Sequence, residues 1–190
     1  MAIFTIDDYY GDERFGAENT TQLPYEPIDS WTPYGAEGFQ PIPDTMPLSD
    51  IHSGTFHLGY MKPGDPPVNV TVTFTGLFSE FNEPSSCALT LNIPRCQGTW
   101  IGVYCIIASP VSGPIDTDPV ANTVNLQFML DGAVSGHYQN SNLPQTAFDF
   151  QYNTSVFSSS TLANGQHTLV VQLMAPDSAS AVNLDYFAYK

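Results

Sequence analysis

His167-Thr168-Leu169-Val170-Val171-Gln172-Leu173-Met174, followed after a break by Val182-Asn183-Leu184-Asp185-Tyr186-Phe187-Ala188-Tyr189, is the stretch whose reading decides the fold. Both runs are rich in β-branched, apolar and aromatic residues, and both are bounded by turn formers: Asn164-Gly165 before the first, Pro176-Asp177 and a Ser/Ala run between them. In the second run Val182, Leu184, Tyr186 and Ala188 fall on one face of an extended chain, while Asn183, Asp185, Phe187 and Tyr189 fall on the other. The two runs read as a closing pair of strands.

The same signature recurs upstream. Val68 to Phe74 alternates cleanly, with Val68, Val70, Val72 and Phe74 on one face. Trp100 to Ile107 is apolar throughout and reads as a central strand, and Val124 to Leu130 ends at an Asp131-Gly132 turn. Phe4-Thr5-Ile6 opens the chain as a strand running into Asp7-Asp8, His52 to His57 is a short further candidate, and Phe148 to Phe157 alternates until Asn153 and Thr154 interrupt it. Eight or so strands and no helical period predict an all-β chain, a jelly-roll β-sandwich forming one domain over residues 1–190. Its core would take Val70, Val72, Phe74, Val103, Leu126, Phe128, Leu169, Val171, Leu184 and Tyr186. Residues 11–50 carry Pro24, Pro27, Pro33, Pro41, Pro43 and Pro47 without a surviving period, which predicts a long proline-rich N-terminal arm, irregular and packed along the sandwich.

With 4 Lys+Arg against 19 Asp+Glu, the formal net charge of -15 repels nucleic acid and anionic membrane surfaces. No apolar run approaches the length of a membrane span, so no membrane insertion by this segment is expected. The start, Met1 to Asp8, lacks the layout of a secretion signal, so a secreted chain would already have lost one. Cys87, Cys96 and Cys105 are an odd number without a metal-like pair. A Cys87–Cys96 bridge closes a short loop, but spacing does not choose the pairing, and Cys105 sits in an apolar run as a buried thiol. Asn19-Thr20-Thr21, Asn69-Val70-Thr71 and Asn153-Thr154-Ser155 match the acceptor pattern for N-glycosylation.

The ordered series Phe4-Thr5-Ile6-Asp7-Asp8, Gly11-Asp12, Tyr25-Glu26-Pro27, Ser30-Trp31, Gly54-Thr55-Phe56-His57, Val72-Thr73-Phe74-Thr75-Gly76, Phe128-Met129-Leu130-Asp131-Gly132, Leu162-Ala163-Asn164-Gly165-Gln166-His167 and Leu184-Asp185-Tyr186 resembles the extracellular galactose-binding-like domains of secreted and membrane-anchored proteins in mushroom-forming fungi. The resemblance implies a galactose-binding-domain-like jelly roll and a secreted or extracellular location. Residues 77–97 depart from that pattern and read as an inserted loop or hairpin, with a retained intron as the other reading.

Asp7, Asp8 and Asp12 beside the first strand and Asp185 in the last would converge if the terminal strands are neighbours. Such carboxylates suit a hard cation, or serve as solvated acids and turn caps. The layout of Asp7, Asp8 and Asp185 resembles the structural calcium site of carbohydrate-binding jelly rolls. His52, His57, His137 and His167 show no zinc-like spacing, and no serine sits in a nucleophile frame. The function expected is therefore a non-catalytic carbohydrate-binding or adhesion module. Trp31, Tyr34, Phe39 and Tyr60 would stack on the sugar rings of glycans or cell-wall polysaccharide. A self-assembling structural protein of the fungal cell surface is the alternative, and a glycoside-active enzyme comes third.

Overall fold

Alternating valines along Val68–Thr75 and Gln166–Leu173 leave one face of each run apolar, and the two strands pair antiparallel in register from Val68↔Leu173 to Thr75↔Gln166. The protein is represented by a computed structural model that describes residues 3–13, 23–37, 39–44, 46–75, 99–108, 123–140, 150–163 and 165–190. The strands among them are β1 (Phe4–Asp7), β2 (Gly11–Asp12), β3 (Tyr25–Glu26), β4 (Trp31–Tyr34), β5 (Phe56–Met61), β6 (Val68–Thr75), β7 (Thr99–Ala108), β8 (Asn125–Leu130), β9 (Ala133–Gln139), β10 (Phe150–Leu162), β11 (Gln166–Leu173) and β12 (Ser180–Tyr189). The described helical elements are short 3-10 turns at Ile28–Ser30, Leu48–Asp50 and His52–Gly54.

The chain is all-β, two antiparallel sheets packed as a sandwich. One sheet, seven-stranded, runs β10-β7-β12-β1-β2, with β5 pairing β12 and β4 pairing β5; the other, five-stranded, runs β3-β6-β11-β8-β9. From β5 to β12 the chain changes sheet at every step except the β8–β9 hairpin. The last two strands therefore lie in opposite sheets, and their small-residue link crosses the edge of the sandwich. Asp131 (φ 52) and Gly132 (φ 79) supply the two left-handed residues that a tight hairpin between β8 and β9 requires.

Between the sheets, Val68, Val70, Val72, Phe74, Leu126, Phe128, Leu169, Val171 and Leu173 meet Ile101, Val103, Cys105, Ile107, Val182, Leu184, Phe187 and Tyr189. One expected core member is displaced. A β-bulge between Leu184 and Tyr186 resets the alternation of β12, so Phe187 and Tyr189 turn inward and Tyr186 faces out, half-buried. Cys105 is a free thiol in this core, and burial pushes its pKa up, leaving it inert.

Several expectations shift in detail. His52 to Gly54 is a turn rather than a strand, because Ser53 (φ 51) and Gly54 (φ 74) are both left-handed and break the extended chain; the strand starts at Phe56. Strand β9 was not expected, since its residues are mostly exposed and lack a buried alternating face. Within 11–50 the described chain is short paired strands and 3-10 turns. Residues 46–58 of this region and its continuation pack Met46, Ile51 and Phe56 onto Ile106 and Phe150, a second cluster covering part of the larger sheet's outer face. Residues 77–97 with Cys87 and Cys96, together with Asn19 and Asn164, lie outside the described residues.

A polar clamp ties two turns of the smaller sheet's end. His167 places Nδ1 2.7 Å from Asp131 Oδ2 and Nε2 2.7 Å from the Ala163 carbonyl, while the Thr168 amide donates to Asp131 Oδ1 at 2.9 Å. Two acceptors select the doubly protonated ring. Burial alone would lower its pKa, but the Ala163 carbonyl and the Asp131 carboxylate outweigh that and raise it.

Phe128 is 1% exposed and stacks on Phe157 with ring centroids 4.6 Å apart. Phe128→Ala should destabilise the fold by about 3–5 kcal/mol in a denaturant titration; a change within error would place that ring outside the core.

Candidate functional site

Strand β1 pairs with β12 from Phe4↔Tyr189 to Asp7↔Tyr186, and β12 pairs on with β5. That register brings the acidic end of β1, the start of β5 and the bulge of β12 to one corner. The sequence expectation that Asp7, Asp8 and Asp185 belong together is met in position: the three are 4%, 2% and 1% exposed.

Each carboxyl has a task there. Asp7 Oδ1 accepts the amides of Tyr9 and Tyr10 at 2.9 and 2.8 Å, holding the turn that follows β1. Thr55 Oγ1 lies 2.8 Å from Asp8 Oδ1 and 3.3 Å from Asp7 Oδ1, so its one hydroxyl proton favours Asp8. Asp8 Oδ2 sits 2.7 Å from His57 Nδ1, and the His57 ring stacks on Tyr25 at 4.2 Å. Tyr25 in turn donates its hydroxyl to the Asp8 carbonyl at 3.2 Å. The two left-handed residues Ser53 and Gly54 fold the preceding turn back, so that the His52 amide donates to Asp185 Oδ1 at 3.1 Å.

Burial governs the charge at this corner. It raises Asp8 well above the usual carboxylate range, with the Asp7 charge adding to the rise, and it lowers His57 to about 4 against the opposing pull of Asp7. A protonated Asp8 with neutral imidazole holds the same protons as carboxylate with imidazolium, and the low dielectric favours the uncharged form. Asp185 is pushed up to about 8, first by burial and then by Asp8, while the His52 amide works in the other direction.

Calcium takes six to eight oxygen ligands, and this donor set does not supply such a shell. Asp7 Oδ1 is engaged by backbone amides, Asp8 by a hydroxyl and an imidazole, and Asp185 Oδ1 by an amide. Asp7 Oδ2 is buried without a hydrogen-bond partner, with His52 Nε2 3.9 Å away. Among the described residues no group of three or more His, Cys, Asp or Glu side chains is placed to hold a metal ion.

Beside the corner, on the larger sheet's outer face, a cleft of about 500 Å³ opens between the 3-10 turns and strand β10. Asp50, His52, Tyr152, Asn153, Asp185 and Tyr186 line it. Two bulges aim these groups. On β12 the register slips between Leu184 and Tyr186, and on β10 between Gln151 and Thr154; Leu184 and Thr154 both pair with Cys105 of β7, the strand between them. Asn153 adopts φ 51 inside its bulge, and its Oδ1 accepts the Tyr186 hydroxyl at 2.5 Å. From the cleft an aromatic row continues across the sheet. His52 packs on one face of Tyr186 at 4.4 Å, Tyr104 stacks on the other at 4.7 Å and 5°, and the half-buried Trp100 lies over Gly102, where an added Cβ would come within 2.7 Å of the indole.

The four aromatics expected to stack on sugar do not form one surface. Trp31 is 4% exposed, its ring over Gly59 in the core, which removes it as a binding residue. Tyr34 stacks on Phe56, Phe39 packs edge-on against Tyr9, and Tyr60 lies under Lys62. Sequence reasoning passed over Trp100, Tyr104, Tyr152 and Tyr186 as strand residues. The signal for the site was the break in alternation at Asn153-Thr154. Of the two described glycosylation candidates, Asn153 is exposed, whereas Asn69 is half-buried within β6 and accepts a hydrogen bond from Gln172 at 3.0 Å.

No family model matches the chain, and no curated protein matches it. Among solved structures, a Paenibacillus sp. cycloisomaltooligosaccharide glucanotransferase complexed with cycloisomaltoheptaose is similar at 17% identity and a TM-score of 0.39, over 70% of this chain and 14% of that one. The catalytic domain of a GH87 alpha-1,3-glucanase in complex with nigerose is similar at 10% identity and a TM-score of 0.43, over 100% of this chain and 28% of that one. The CBM36-1 domain of a multidomain xylanase from the hindgut metagenome of Trinervitermes trinervoides is similar at 10% identity and a TM-score of 0.35, over 89% and 97%. Likenesses this weak say nothing of what this chain binds.

A carboxyl whose pKa is raised on folding binds more protons in the folded state, so its contribution is complete below the unfolded value near 4 and is lost as pH rises through the folded value. For Asp185 that window runs up to about 8. Relative to Asp185→Asn, which keeps an acceptor for His52, the wild-type protein should lose stability between about pH 4 and 8, by at most about 1.4 kcal/mol per pH unit. Parallel stability-versus-pH curves for the two proteins would show that Asp185 titrates normally.

Proposed function

We propose that the chain is a non-catalytic carbohydrate-binding module of an extracellular protein, taking a neutral glycan in the cleft beside the acidic corner. The observation that carries the reading is the cleft itself: an open recess of about 500 Å³ where the exposed Asp50 and Asn153 and the half-buried His52 and Tyr186 converge from the 3-10 turns, β10 and β12. Sugar hydroxyls both donate and accept hydrogen bonds, and such a mixed donor and acceptor set can satisfy both roles in one concave site. At the end of the aromatic row the half-buried Trp100 offers ring surface to the apolar face of a longer glycan. A net charge of -15 disfavours a polyanionic ligand.

One feature favours binding over catalysis. Asp7 and Asp8 are buried, Asp8 spending both oxygens on Thr55 and His57 and Asp7 one on Tyr9 and Tyr10, a scaffold role rather than that of a reacting pair. Glycoside hydrolysis requires two carboxyls free to face the scissile bond from a set separation. The glycosylation sequons and the sequence resemblance support an extracellular, adhesive setting. One observation favours self-assembly as a second reading. Among the described residues β9 pairs only with β8, and Ala133–Gln139 carries no acidic or lysine side chain to guard that edge, so a second copy could add to it.

Calorimetric titration with a panel of neutral oligosaccharides tests the first reading. Asn153→Gly, which keeps the left-handed backbone accessible while deleting the amide, should weaken binding at least tenfold, about 1.4 kcal/mol. The chain has 2 tryptophans, and since Trp31 is buried, a change in tryptophan emission on binding would report Trp100 at the end of the row. Failure of every neutral glycan to bind, with a dimer or larger species in light scattering, would replace the first reading by the second.

A further inference from the structure

We infer that Asn153 carries an N-linked glycan when the chain is made in a secretory pathway, and that this glycan closes the cleft, so that modification and ligand binding exclude one another. The inference rests on the cleft being the binding site. Asn153-Thr154-Ser155 is an acceptor triplet. The folded chain leaves its reacting atom available: Asn153 is exposed, its Oδ1 accepts the Tyr186 hydroxyl, and Nδ2 makes no hydrogen bond among the described residues. The backbone there is turn-like, with φ 51 inside a bulge, although the triplet lies in the middle of β10. Asn69 offers the contrast. It sits in regular register between β3 and β11, with its amide oxygen taken by Gln172, and is the poorer acceptor.

Modification requires an oligosaccharide carried on a polyprenyl diphosphate, supplied with its transferase by the host. The bond from Nδ2 to the sugar's anomeric carbon forms, the bond from that carbon to the diphosphate oxygen breaks, Nδ2 loses one proton, and polyprenyl diphosphate leaves. Because the Tyr186 hydroxyl holds the amide by its oxygen and Asn153 lines the recess, the first sugar would stand at the mouth of the cleft, beside His52 and Asp185. A glycan placed there blocks entry by bulk and could itself occupy the hydrogen-bonding groups.

The test compares the wild-type chain and Ser155→Ala, each made in bacteria and in a eukaryotic secretory host. Ser155 is exposed and pairs with Tyr104, and its loss removes the acceptor triplet while keeping the Asn153 amide. Peptide mass spectrometry reads occupancy at Asn153, and titration with the neutral oligosaccharide that binds the bacterial protein reads the cleft. The expected result is full binding by bacterial wild type and by Ser155→Ala from either host, with at least tenfold weaker binding by the modified wild type. An unmodified Asn153 in the secreted wild type, or a modified protein that binds as well as the bacterial one, overturns the inference. Absence of binding by the bacterial wild type sinks the cleft reading and the gating with it, while occupancy at Asn153 is still decided by the peptide mass.

Discussion

Burying three carboxyl groups at one corner is tolerable only if each is hydrogen-bonded or kept neutral, and that constraint organises this protein. Asp8 satisfies it through Thr55 and His57, residues 47 and 49 positions away, and Asp185 through the amide of His52, 133 positions away. The first strand, the turns before β5 and the last strand are thereby locked to one another. Removing any partner would strand an acid in low dielectric, a larger loss than the bond itself is worth.

The same constraint shapes the outer face of the larger sheet. Residues 46–56 must lie across that face for His52 to reach Asp185, and they cover it with Met46, Ile51 and Phe56 only as far as Ile106 and Phe150. Past that edge the described residues leave the sheet uncovered, and the half-buried Tyr104, Tyr186 and Trp100 occupy it. The bulges of β10 and β12, both next to Cys105, turn Asn153 and Tyr186 towards the boundary between covered and open surface. A recess with polar walls follows from ending an apolar lid beside two bulged strands.

Most strands were legible in the amino-acid order because one buried face imposes period 2, and the valine runs of β6 and β11 and the apolar run of β7 carry that imprint directly. Strand β9 left little imprint, being mostly exposed. The meeting of Asp7 and Asp8 with Asp185 was legible too, since the first and last strands of such a sandwich are neighbours. What they do there was not. The expected calcium coordination depended on which oxygens remain free, and Thr55, His57 and the His52 amide are brought in by chain folding rather than by proximity in sequence.

Composition and periodicity alone thus determined the class of fold and most of the core, because hydrophobic burial acts on residue type. Tertiary structure decided the rest. Tyr186 was expected in the core and Trp31 among the sugar-stacking rings; a single extra residue in β12 reversed the face of the first, and the packing of β4 over Gly59 buried the second. A bulge costs one residue of register and leaves no compositional mark, yet it moves every later side chain to the opposite face. The candidate site lies at two such bulges, which is why its residues could be read from the chain only as strand.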